Sequence, residues 1–114
     1  MKNLTAQRVI GWTIAGTCAT ELLTVALRFG LRLQSTRDTA STIGVLTCGV
    51  RIHHGYIGAL LLLVAWALWW KRHAIAQRAL IIGGSLLLSD LIHHFVVLWL
   101  VVGSPEFHPV YPNW

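Results

Sequence analysis

Apolar residues in this chain gather in three long runs, and the lysines and arginines sit in the short polar stretches beside and between them. The first run, Val9 to Leu27, is closed by Arg8 and Arg28. At a helical rise of 1.5 Å its roughly 19 residues match a hydrocarbon core about 30 Å thick. The second, Gly55 to Trp70, stops sharply at Lys71-Arg72-His73 but has no clear start. Drawn back to Ile43 it would be about 42 Å long, so it either tilts or breaks near Gly44 and Gly49. The third runs from Ala79 or Leu80 to Val102 and ends at Gly103-Ser104-Pro105, a helix stop.

This pattern predicts an all-α fold, an integral membrane three-helix transmembrane bundle in one domain over residues 1–114. The expected spans are 9–27, 51–70 (or from near 43) and 80–102. Residues 28–42 form the loop, with Ser41 or Thr42 as N-cap of the next helix. Residues 103–114 form a short interfacial tail whose Phe107, His108, Tyr111 and Trp114 suit a cover over the bundle.

Composition agrees. Hydrophobic residues make up 55% of the chain and charged residues 11%, against about 25% charged in an ordinary soluble domain. The net charge of +5 does not indicate nucleic acid, because the basic residues flank apolar runs instead of lining one polar face. Their expected partner is the lipid bilayer. A cleaved signal peptide competes for the first run, but Glu21 interrupts it and no A-x-A site follows. Cys18 and Cys48 form no CxxC pair and read as small buried hydrophobes. Trp12, Trp66, Trp69 and Trp70 fall on one side of the expected bundle, Trp99 and the tail on the other. Lys2, Arg8, Lys71, Arg72 and Arg78 share the first side, against Arg28, Arg32, Arg37 and, by one reading, Arg51 on the other, so a multi-pass protein with a cytoplasmic N-terminus is expected.

Ionisable groups inside the runs change the picture most. A charge within a bilayer costs several kcal/mol unless it is paired, hydrated or bound to something. Glu21 lies in the first run, Asp90, His93 and His94 in the middle of the third, and Arg51, His53 and His54 at the start of the second. Helical rise places Glu21 roughly 9 Å, and His93 and His94 roughly 12–14 Å, from the side on which the second run begins. Thr13, Thr17, Glu21, Thr24 and Arg28 form one polar stripe. Asp90 is three and four residues from His93 and His94, so its carboxylate can touch either ring. Arg51, His54 and Gly58 share a face, and Gly58 allows a close helix approach.

Three polar faces at overlapping depth imply a buried centre. The expected metal ligands are His53, His54, Asp90, His93, His94 and Glu21, a donor set suited to zinc, iron or copper. Haem b is the other cofactor reading, held by His54 with His93 or His94. Arg51 and Glu21 are expected to balance charge as a pair. Two further readings stand beside these: a proton or ion pathway through the same residues, and a structural or assembly subunit whose polar groups only hold helices together. Three spans are few to enclose a site, so a homodimer or a larger membrane complex is open as its setting. Whether the protein is an enzyme is not legible. No P-loop, dinucleotide fingerprint, GxSxG or HExxH occurs.

Two short stretches carry resemblances of about five residues each. His54-Gly55-Tyr56-Ile57-Gly58 resembles the haem-bearing second helix of the small three-span anchor subunits of succinate dehydrogenase, where a histidine precedes a glycine by four. That resemblance implies a b-type haem. Asp90-Leu91-Ile92-His93-His94 resembles one histidine box of membrane hydroxylases and desaturases, with Asp in place of the first His.

Overall fold

The computed structural model describes residues 1–111. Trp114, the last of the expected interfacial aromatics, lies outside them. The fold is all-helical, with a single isolated antiparallel bridge among the described residues, between Val50 and Val110. Helix α1 covers Ala6–Val25, followed by two short helices, α2 (Ser35–Asp38) and α3 (Ile43–Leu46). Then come α4 (His54–Leu68), α5 (His73–Ile92) and α6 (Trp99–Val102). Thr5 caps α1 from extended backbone, its hydroxyl accepting from the Arg8 amide. A π-helical turn, Ala26–Gly30, prolongs α1, and a second, His93–Leu98, joins α5 to α6. The result is two continuous helical segments, Ala6–Gly30 and His73–Val102, long and apolar enough to cross a membrane.

The uncertain start of the second apolar run resolves into a break. Cys48 (φ +54°) and Gly49 (φ +85°) lie in the left-handed region and turn the chain between α3 and α4. His53 then sits at the α4 N-cap in extended conformation, and its side chain makes no capping bond. It is therefore available to turn inward. At the far end Gly103 (φ +83°) terminates α6, and the chain folds back over the bundle.

Helix α5 is the middle of a flat arrangement. It packs against both α1 and α4, which make no contact with each other among the described residues. The molecule measures 46 × 29 × 19 Å, thin for its length. The approach of α4 to α5 is closest at Gly58 and Gly83, where a Cβ on either would come within 2.6–2.7 Å of the other's carbonyl oxygen.

Burial is inverted relative to a water-soluble domain. The buried apolar residues are mostly small, Ala65, Ala76 and Ala79, with Leu98 and Tyr111. The buried polar set is larger and includes Arg51, His53, Gln77, Ser89, Asp90, His93 and His94. Outward faces carry the bulk: Trp66 is 78% exposed, Leu100 81% and Trp70 90%. The polar stripe of α1 is satisfied largely within its own helix, because Thr13, Thr17, Thr20 and Thr24 each donate to the carbonyl four residues back at 2.8 Å. Glu21 instead reaches across to α5.

Candidate metal centre

Successive helical residues point about 100° apart, so adjacent histidines on a central helix face different neighbours. His93 turns to α1, where its Nδ1 lies 3.0 Å from Glu21 Oε1. Ser89 donates to the other Glu21 oxygen at 3.3 Å. His94 turns toward α4 and the tail. Asp90, one turn earlier, is 2% exposed and packs against Gly55, whose missing side chain leaves the room: a Cβ there would meet Asp90 Oδ2 at 2.5 Å.

Around Asp90 Oδ1 three imidazole nitrogens gather: His53 Nδ1 at 3.7 Å, His54 Nδ1 at 3.5 Å and His94 Nε2 at 3.5 Å. His53 Nδ1 and His94 Nε2 are themselves 3.3 Å apart. Their tautomers follow from the opposite ring nitrogens. His94 Nδ1 donates to the Pro105 carbonyl at 2.8 Å, and His53 Nε2 to the His108 carbonyl at 3.0 Å. A neutral imidazole has one N–H. While both rings are neutral, the His53 and His94 nitrogens facing Asp90 therefore carry lone pairs, which leaves His54 Nδ1 as the ring nitrogen there that can carry a hydrogen. Asp90 Oδ1 finds no hydrogen-bond partner, and neither does the buried His54 Nε2.

A proton or a metal ion between these atoms would satisfy them. His53, Asp90 and His94 form a group that can hold a metal ion. The three donor atoms span a triangle of 3.3, 3.5 and 3.7 Å. Its corners lie about 2.0 Å from its centre, the length of a zinc–nitrogen or zinc–carboxylate bond. Carbonyl bonds on the far nitrogens are the usual way in which metal-binding imidazoles are oriented.

The tail supplies that second layer. Phe107 stacks on the His53 ring, with centroids 4.3 Å apart and an interplanar angle of 21°. Arg28 pairs with Glu106 at 3.2 Å, and Arg51 donates to the Glu106 carbonyl at 2.9 Å. Backbone bonds from Arg51 to Pro109 and from Tyr111 to Gly49 fasten the strap to the segment before α4. The π-helical turn starting at His93 lies directly at this centre, where such turns often occur.

The site residues expected from sequence thus divide. His53, Asp90 and His94 converge, and His54 reaches the same carboxylate oxygen. Glu21 and His93 pair with each other on the opposite face of α5. Arg51 bonds to the tail, and Glu21 to His93 and Ser89, where a pair between Arg51 and Glu21 was expected. Haem is not indicated. The histidines expected to hold it part: His93 turns to Glu21, while His54 and His94 both close on Asp90 Oδ1 at 3.5 Å, so a carboxylate stands between them where a macrocycle would lie.

The tail with His108 was expected as a cover, but Pro105 and His108 act in it through backbone carbonyls, which any residue carries. Sequence reasoning missed Ser89; spacing of four from His93 and of one from Asp90 was its only signal. A cavity of about 300 Å³ opens beside the centre, lined by His54, Asp90, His93, Arg28, Arg51 and Glu106 among others. No known protein family, curated protein or solved structure matches the chain.

Proposed function

We propose that this is a small membrane protein of three spans that binds a divalent transition-metal ion through His53, Asp90 and His94. The observation that carries the proposal is the convergence of three buried ligand atoms, from His53, Asp90 and His94, with the two rings fixed by carbonyl bonds behind. The membrane part rests on inverted burial. Ala6–Gly30 is long and apolar but hardly buried, so it is not the core helix of a soluble protein. Its Glu21 and Thr13 engage α5, as expected of a retained span and not of a leader. Exposed apolar faces of this extent suit lipid. Helix α4 is shorter, at 15 residues, and completes its crossing with the flanking segments. The positive-inside rule puts the N-terminus in the cytoplasm.

Two imidazoles and one carboxylate are the donor set of catalytic zinc sites, which keep the fourth position for water or substrate. When bound, such an ion supplies Lewis acidity and lowers the pKa of coordinated water. The chain's own part is to hold the donors at fixed separation, set their tautomers through the tail, and exclude bulk water with Phe107. A second reading, proton transfer along Ser89, Glu21 and His93, has a specific support in the hydrogen-bonded order of those three groups.

The test is metal content of the detergent-purified protein after dialysis against zinc, cobalt or iron, with its visible spectrum. One equivalent per chain without a Soret band is expected, and its loss in Asp90→Ala and His94→Ala. Sub-stoichiometric metal in the unmodified protein, or full occupancy in both variants, refutes the centre.

A further inference from the structure

The cavity beside the metal centre carries a charge pattern of its own. Arg28 and Arg51 line it together with Asp38, Asp90 and Glu106. Asp38 is already paired with Arg37 at 2.9 Å. That leaves two guanidinium groups against two carboxylates, Asp90 and Glu106, a balanced set. Glu21 is engaged by His93 and Ser89 and does not line the cavity. A divalent ion between His53, Asp90 and His94 adds two positive charges to a space where Arg51 is 7% exposed. Uncompensated charge in such a place is costly, and the three residues that would hold the ion line this cavity together with the two arginines.

We infer that the cavity binds a phosphate dianion, as a monoester or as inorganic phosphate, beside the metal-binding group, with Arg28 and Arg51 as its counter-charges. The inference rests on the metal-centre reading and names the ligand class of that site. A carboxylate fits less well. Glu106 already offers one to Arg28 through both its oxygens, at 3.2 and 3.3 Å, so an incoming carboxylate would only replace like with like. A phosphate monoester carries close to two negative charges at neutral pH and three acceptor oxygens. It can meet an ion and two forked guanidinium groups at once. Leu27, Leu33, Ile52 and Leu98 supply apolar wall, which accommodates the rest of an amphiphile. The phosphate can therefore belong to a lipid head, such as phosphatidic acid, or be free inorganic phosphate.

The full-length protein in nanodiscs, loaded with cobalt, tests this through its visible absorption. In phosphatidylcholine discs, inorganic phosphate should shift the cobalt bands and bind at least about tenfold more tightly than to the metal-free protein. Arg28→Gln and Arg51→Gln should each weaken that binding about tenfold when it is measured at cobalt concentrations that keep one ion bound per chain. If discs containing phosphatidic acid show the shifted bands before any phosphate is added, the lipid head is the ligand. If phosphate titrates alike in both discs, free phosphate is. Stoichiometric cobalt whose spectrum responds to neither phosphate nor phosphatidic acid overturns this inference and leaves the metal centre standing. Failure to bind cobalt overturns both. The spectral response of the unmodified protein decides the matter even if a variant misfolds.

Discussion

Replacing Asp90 by Asn should stabilise the metal-free protein while abolishing its response to metal, a pair of opposite signs that no merely structural carboxylate produces. Without a cation, Asp90 Oδ1 lies 3.5–3.7 Å from nitrogens that have no hydrogen to give, because His53 and His94 spend theirs on the tail carbonyls. An asparagine of the same size removes the buried charge and brings an N–H₂ group that can donate to one or both lone pairs. Satisfying a buried polar group is worth about 1–3 kcal/mol, and that is the expected gain in metal-free stability. With metal the sign reverses. The unmodified protein at a free metal concentration of about 100 times its Kd gains about 2.7 kcal/mol. Loss of a carboxylate ligand weakens affinity by at least the roughly 100-fold upper figure for outer-layer partners, so the variant gains little at the same concentration.

The assay is thermal unfolding in mild detergent, each protein with chelator and with zinc. If the histidines were instead protonated and ion-paired to Asp90, the substitution would strand buried imidazolium charge at a cost of about 3–5 kcal/mol. A metal-free Asp90→Asn protein that melts well below the unmodified one, or that zinc stabilises as strongly, refutes the reasoning.

Three further outcomes are expected. Ending the chain at Ser104 removes the Pro105 and His108 carbonyls, so both rings lose their tautomer lock and metal affinity should fall about 10–100-fold, as read by chelator competition; unchanged affinity would show the strap to be irrelevant. Gly58→Ala drives a methyl against the Gly83 carbonyl at 2.6 Å and the Leu87 amide at 2.7 Å, both backbone, and should cost about 1–3 kcal/mol in unfolding experiments; a neutral result would mean that α4 and α5 do not cross there. In the loop, hydrogen bonds from the Arg37 side chain and the Gln34 amide hold the Asp38 carboxyl below its ordinary value. A depressed carboxyl keeps its ties above the ordinary Asp pKa of about 3.9 and loses them only as pH falls through its own lower midpoint. A carbon-13 titration of Asp38 measures that midpoint, and one at or above the ordinary value contradicts the geometry.

Much of this protein was legible along the chain. Apolar runs of bilayer length bounded by Arg8, Arg28, Arg78 and Gly103 mark helices whatever they pack against, because hydrogen bonding of the backbone within apolar surroundings leaves few alternatives. The break before α4 was legible as one of two options, and the left-handed backbone at Cys48 and Gly49 decided it. Ionisable residues in those runs announced a centre, since charge in such surroundings must find a partner. Which partner each one finds was not written locally. Asp90 stands in reach of both His93 and His94 by helical spacing alone; only the position of α5 between α1 and α4 sends His93 to Glu21 and His94 to His53. The tautomers that turn three side chains into an acceptor trio depend on two carbonyls of the returning tail, and a carbonyl has no signature in sequence. Hydropathy and helical period are properties of neighbours along the chain, and they located the apolar runs and the polar residues within them, though they misread Cys18 and Cys48, which are exposed, as buried. The convergence of His53, Asp90 and His94 is a property of neighbours in space, and the packing order of the helices alone created it.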